Sequence, residues 1–181
     1  MGFGKLTCLE ALELMLHTMG VFAWDKLYHK KLFSTVLYPE GYFYEDEGTV
    51  HKMVLLADAV YYLDQVLYYH CYHEGSITTL KTNKALQDYF DMHMQQYRDL
   101  AVWGYPEDKL KCLLNNVAIT YYMWQKPDAN DVNYIFCRKS LQSAKQIPEG
   151  FTWKRKVLFV LLKYCPPLFE LICVIFNKKF R

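Results

Sequence analysis

Leu9, Leu12, Leu16 and Met19 recur at the three- and four-residue steps that put side chains on one face of a helix. Thr7-Cys8-Leu9-Glu10 stands in front of them as a capping box: the Thr oxygen accepts an orphan N–H three residues on, and Glu10 reaches back to the Thr N–H. Gly20 is placed to stop that helix. A second short helix is expected over Ala23 to Phe33, then a turn at Pro39-Glu40-Gly41. The aromatic run Tyr42-Phe43-Tyr44 leads into the acidic triplet Glu45-Asp46-Glu47. Val50, Met53, Val54 and Ala57 form the next helical face, with the triplet at its N-terminal end, where the helix dipole favours anions. Between Ala59 and Tyr72 the pattern changes. Val60 to Leu63, Asp64-Gln65 and Val66 to Tyr69 are dense in β-branched and aromatic residues and predict two short strands around a turn.

After Gly75-Ser76 the pattern is helical almost to the end. Asn83 is the expected cap of a helix bearing Leu86, Tyr89, Phe90, His93, Tyr97 and Leu100. Pro106 opens another, with Leu110, Leu113, Leu114, Val117, Tyr121 and Trp124 on one face; Pro127 ends it, and Asp128 to Lys145 is a further helix. The chain thus reads as a mixed piece over residues 1–80, a helical extension over 81–150 and a tail over 151–181, an α+β, mostly helical class. Two strands do not make an independent sheet, so a larger sheet would draw its other strands from outside this chain.

Composition narrows the picture. A chain of 181 residues, 52% apolar and 17% aromatic, buries enough surface to order its backbone, which rules out disorder. A net charge of +2 lacks the strongly basic signature of a general nucleic-acid binder. That total hides an asymmetry: residues 151–181 hold seven Lys/Arg against Glu170 alone, a tail of +6 on a body of −4. The six scattered cysteines include no C-x-x-C pair and fit a reducing compartment. No apolar run of the signal-peptide kind follows Met1-Gly2-Phe3-Gly4-Lys5.

Ordered blocks carry a more specific signal. Ala23-Trp24-Asp25-Lys26-Leu27-Tyr28-His29-Lys30-Lys31-Leu32-Phe33, Pro39-Glu40-Gly41, Tyr44-Glu45-Asp46-Glu47, Ala57-Asp58, Leu67-Tyr68-Tyr69 and Glu74-Gly75-Ser76-Ile77 follow one another along the chain. In order and spacing this series resembles the C-terminal half of bacterial family 2 glycosyltransferases, GT-A-fold enzymes that build capsules, exopolysaccharides and other surface glycans. The resemblance implies a partial GT-A fold, its C-terminal half, with a short β-hairpin followed by a helical extension. It implies inverting transfer of a sugar from a nucleotide-sugar donor to a glycan acceptor. It also implies roles: Asp46, the Asp of the family's E-D pair, as the base that takes the acceptor hydroxyl proton, Glu45 as a group that orients the acceptor, and Lys26 and His73 as weaker acceptor or diphosphate contacts. Apart from these blocks, the triplet also suits a solvated acidic helix start.

Departures from the family pattern shape the expectation as much as the matches. The family's opening strand, of the type V-S-V-I-I-P-x-Y-N, and its Asp-x-Asp motif for metal and donor diphosphate have no counterpart here. The nucleotide-binding half, and with it Mg or Mn and the nucleotide-sugar, is therefore expected outside this chain. The isolated chain is expected to lack transferase activity, as a fragment, one half of a split enzyme or a degenerate copy. Asp25 stands where the family often has Asn or Gly, and Cys71 and His73 stand where Arg is frequent. A histidine is less reliably cationic at neutral pH than the arginine it replaces.

His70, Cys71 and His73 are ligand-type side chains, but on a strand His70 and His73 point to opposite faces and no fourth ligand is evident, so no metal site is expected. His17, His29, His51 and His93 are expected on helix surfaces or rims. In the tail, Lys163, Pro166, Pro167 and Glu170 interrupt any run of the roughly 20 apolar residues that a spanning helix needs. Two short apolar helices with basic flanks suit a peripheral position at the inner face of the cell membrane. Lys154, Arg155, Lys156, Lys178, Lys179 and Arg181 would then meet anionic headgroups. The same pattern suits a helix pair packed on the protein's own core. The expected location is the cytoplasm, and the alternative function is a non-catalytic helical module that docks on a membrane or on a separate N-terminal half.

Overall fold

The capping box at Thr7 forms as written in the sequence: Thr7 Oγ1 accepts the Glu10 N–H at 3.2 Å, and a Glu10 carboxylate oxygen accepts the Thr7 N–H at 2.8 Å. A computed structural model describes residues 3–71, 82–124, 130–144, 147 and 151–179. The described residues form seven α-helices and one two-stranded antiparallel sheet, the mostly helical α+β class, in two units that divide after Tyr105.

In the first unit, strand β1 (Phe3–Leu6) leads into helix α1 (Cys8–Leu14), which continues as a π-helical turn over Met15–Met19. Gly20 ends it at φ +85°, a conformation that side chains disfavour, and a Cβ there would meet the Phe22 ring at 2.8 Å. Helix α2 (Val50–Leu56), strand β2 (Val60–Leu63) and helix α3 (Asn83–Trp103) complete the unit. Leu12, Met15, Val50, Met53 and Leu100 are buried in it. A small cluster of Leu32, Val36 and Met53 is covered by Tyr28 and Phe33.

Three local expectations change. The sheet is not a hairpin within residues 59–72: β2 pairs with β1, in the register Phe3↔Leu63 to Leu6↔Val60, and Val66 to Tyr69 are exposed and outside any strand. Asp64-Gln65 lacks the left-handed residues that a two-residue hairpin turn demands, so the chain does not fold back there. The partner strand thus comes from this chain, some 54 to 60 residues away in sequence. The helix expected over Ala23 to Phe33 is one 3-10 turn, Lys30–Ser34. The Lys26 ammonium takes the Phe22 carbonyl that a helix would give to the Lys26 N–H. Thr82, not Asn83, caps α3, its Oγ1 accepting the Ala85 N–H at 3.1 Å.

The second unit consists of helices α4 (Glu107–Trp124), α5 (Val132–Ser143), α6 (Trp153–Tyr164) and α7 (Pro166–Lys179). Pro106 precedes α4, Asp131 caps α5 through the Asn133 and Tyr134 N–H groups, and Thr152 caps α6. Tyr122 stacks on Tyr134 with ring centroids 4.5 Å apart and packs against Phe169 at 5.1 Å, so α4, α5 and α7 share an aromatic core. All six cysteines are free thiols.

Candidate functional site

The acidic triplet sits in the turn that starts α2, and the backbone there is unusual. Tyr44 has φ +59°, a left-handed conformation that costs a bulky residue energy and clusters at functional sites. Its carbonyl accepts the Glu47 N–H at 3.1 Å, and the Asp46 carbonyl accepts from Thr49 and Val50, so the turn feeds directly into the helix. The Asp46 carboxylate accepts the Glu47 N–H at 3.0 Å. Gly48 brings the turn against α3, where a Cβ would stand 2.7 Å from the Met92 sulfur.

Helix α3 holds the turn with polar side chains at helical spacing. Asp88, buried, accepts the Phe43 N–H at 2.9 Å and the Lys84 ammonium at 2.6 Å. Gln96, fully buried, donates to the Glu47 carbonyl at 3.0 Å. His93 places Nδ1 2.8 Å from the Tyr89 carbonyl and Nε2 3.5 Å from a Glu47 carboxylate oxygen. The edge of Tyr44 meets Tyr89 with centroids 5.3 Å apart. The expectation that His51 and His93 lie on helix surfaces is therefore corrected. Both are buried, because each has a partner inside: Asp99 at 2.8 Å for His51, and the Tyr89 carbonyl for His93. His17 and His29 are exposed, as expected.

Burial sets the protonation states. It raises the Asp46 carboxyl to about 6, helped by Glu47 and Glu45 and opposed by the N–H of Glu47. It raises Glu47 to about 7 against the pull of Gln96 and the Lys26 charge, and lowers His93 to about 4. At neutral pH His93 is thus uncharged. With Nδ1–H donating to Tyr89, its Nε2 offers a lone pair to Glu47, which a protonated Glu47 can fill. At neutral pH Asp46 is then mainly ionised beside an uncharged His93 and a Glu47 that is about half protonated. Burial also raises the phenols of Tyr28 and Tyr38, whose hydroxyls are 3.5 Å apart; for Tyr28 the Tyr38 hydroxyl adds to it, and nearby carboxylates including Asp46 add less. Both phenols therefore stay protonated at neutral pH.

Glu45 is half-buried and lines a cavity of about 530 Å³ together with Pro39, Gly41, Tyr42, Phe43 and Lys84. The Lys84 ammonium lies 5.3 Å from the Tyr42 ring centroid and 5.6 Å from that of Phe43. Lys26 directs its ammonium to the carbonyls of Gly20 and Phe22, at 3.2 and 2.9 Å, and to Asp25. His73 lies outside the described residues. In the second unit Lys154 and Lys156 are exposed, whereas Arg155 donates to Asn116. Lys178 and Lys179 belong to α7, and Arg181 is outside the described residues.

The structure places Asp46 and Glu45 in the turn that starts α2; the side chains that hold or flank this turn, Asp88, Gln96, Glu47 and Lys84, are not marked out as a group by the sequence pattern. For Asp88 and Gln96 the signal is polarity at the core phase of α3, where Ala85, Asp88, His93, Gln96 and Leu100 follow one another at three- to five-residue steps. Among the described residues, no three His, Cys, Asp or Glu side chains are grouped to hold a metal ion.

Part of the chain is similar to a glycosyltransferase. Over 89 residues, 49% of this chain, it is 33% identical to Glycosyltransferase GlyA of Streptococcus pneumoniae. The matched stretch spans 13% of that protein's length. No family model and no solved structure matches the chain.

Proposed function

We propose that this chain forms the acceptor side of an inverting, family 2 glycosyltransferase of the GT-A type, with Asp46 as general base. The observation that carries the reading is the state of Asp46: a partly buried carboxylate, raised to about 6, fixed at a strained turn next to Glu45, which itself lines a groove of aromatic and charged side chains. The partial likeness to a glycosyltransferase supports it. An acceptor sugar would lie against Tyr42 and Phe43, its hydroxyls meeting Glu45 and Lys84. As the acceptor oxygen attacks the anomeric carbon, its proton passes to Asp46 and the bond to the donor diphosphate breaks with inversion. The donor, the divalent cation and the nucleotide-binding half belong to the rest of the enzyme. The described residues supply no donor set for the cation, and no step here runs through it.

The test is reconstitution with a nucleotide-binding half, followed by Asp46→Asn. A positioned base contributes roughly 100- to 10,000-fold, so kcat falls by at least about 100-fold while the melting temperature holds. Transfer that ignores the substitution removes Asp46 from the mechanism, and turnover of a nucleotide-sugar by the purified chain alone contradicts the divided-site reading.

A further inference from the structure

Helix α6 carries Trp153, Val157, Val160 and Tyr164 at helical steps on the side away from its buried Phe159 and Leu162. All four are exposed, Trp153 by 71% and Tyr164 by 76%. Helix α7 repeats the arrangement, with Leu168, Leu171 and Ile175 exposed opposite the buried Phe169 and Cys173. Each helix thus has two apolar faces, one packed inside the unit and one uncovered, whereas a helix that only covers a core needs a single stripe.

The surroundings of the uncovered faces identify what covers them. Trp153 and Tyr164 stand at the two ends of α6, the place amphipathic rings take at a headgroup boundary. Lys154 and Lys156 are exposed on either side of the α6 stripe, where long basic side chains reach outward from a helix lying flat. Glu170 is turned inward, accepting the Tyr122 hydroxyl at 3.3 Å. Arg155 donates to Asn116, and Lys163 to the Ala144 carbonyl. The faces therefore keep apolar surface and positive charge outside and hold the one carboxylate within. No described helix is long and apolar enough to cross a membrane.

We propose that the uncovered faces of α6 and α7 lie in the interface of an anionic membrane. Val157, Val160, Leu171 and Ile175 enter the acyl boundary, Trp153 and Tyr164 mark its edge, and Lys154 and Lys156 hold the headgroups. Arg155 is half-buried, bonded to Asn116, and takes no part. The inference is independent of glycosyl transfer, and its test reads no activity.

Co-sedimentation of the full chain with phosphatidylcholine vesicles, with and without phosphatidylserine, decides it. The chain binds the anionic vesicles. Val160→Ser with Leu171→Ser and Ile175→Ser weakens binding by at least about 100-fold, since partition follows buried apolar area. Lys154→Ser with Lys156→Ser weakens it roughly tenfold on anionic vesicles and leaves neutral ones unaffected. These positions are exposed, so an unchanged circular-dichroism melt keeps the reading separate from misfolding. Failure of the unaltered chain to bind anionic vesicles overturns the proposal, as does binding that survives the triple substitution. A dimer that the triple substitution dissolves, with no vesicle binding, assigns the faces to a second copy and overturns it too.

Discussion

In the first unit Thr49, His51, Asp88, His93 and Gln96 are polar and buried. In the second, Asn115 is the buried polar side chain among the described residues, and Val157, Val160, Leu171 and Ile175 are apolar and exposed. Both arrangements run against simple burial of the apolar. Each polar group withdrawn from water without a partner costs about 1–3 kcal/mol, and the first unit offsets most of that by pairing: Asp88 with Phe43 and Lys84, His51 Nε2 with Asp99, the Gln96 amide N–H with Glu47, while His51 Nδ1 and Gln96 Oε1 stay buried without a hydrogen bond. Uncovered apolar stripes oppose folding little, because the unfolded chain exposes them as well, but they favour anything that removes them from water. The difference separates two arrangements of a helix: α3 holds the acidic turn from within, while α6 and α7 each keep a second, apolar face exposed.

A large effect should come from cutting an anchor of the turn. Asp88→Ala leaves the Phe43 N–H without its acceptor and the Lys84 ammonium without its partner. A loss of about 3 kcal/mol in urea unfolding is expected, together with loss of order in residues 42–47 by amide exchange. A loss below about 0.5 kcal/mol would place Asp88 outside the support of the turn.

Next in size is a pH effect carried by Glu47. Its folded pKa of about 7 lies above the ordinary carboxyl value of 4.5, so the native state holds the proton more tightly. The associated stability is complete below about pH 4.5 and is lost as pH rises through about 7. His93, lowered from 6.5 to about 4, acts in the opposite direction and loses its contribution as pH falls through that range. Glu47→Gln keeps a donor for His93 Nε2 and removes only the titration. The variant should gain about 2 kcal/mol on the unaltered chain between pH 5 and pH 8. Equal pH profiles for the two proteins would remove Glu47 from the buried network.

How much of this is legible in sequence depends on the range of the interaction. Local rules place the Thr7 box, the stop at Gly20 and the start of α4 at Pro106, because each is decided within a few residues. The pairing of β1 with β2 is not local. Phe3 to Leu6 offers four residues with a glycine and a lysine among them, too short and mixed to announce a strand. At the site, Asp46 and Glu45 are visible because neighbouring blocks frame them. Asp88 and Gln96 look like ordinary solvated positions until α3 is laid against the turn, and their placement at the core phase is the clue that pattern reading undervalues. The left-handed Tyr44 leaves no mark in the sequence at all, since tyrosine does not favour that conformation.

The smallest effect is the sharpest test of the contrast between the two units. If α6 and α7 expose their second stripes for a partner rather than for their own fold, then Val160→Ser and Leu171→Ser should each change the stability of the chain in water by less than about 0.5 kcal/mol. Phe159→Ala and Phe169→Ala, on the opposite, buried sides of the same helices, should each cost about 3–5 kcal/mol. A large loss from Val160→Ser would mean that the stripe is covered within the folded chain in solution, and the second unit would then obey the same inward economy as the first. Near-neutrality, beside a full cavity cost one helical step away at Phe159, leaves the outer face of α6 with no task in folding and fixes its purpose outside the unit.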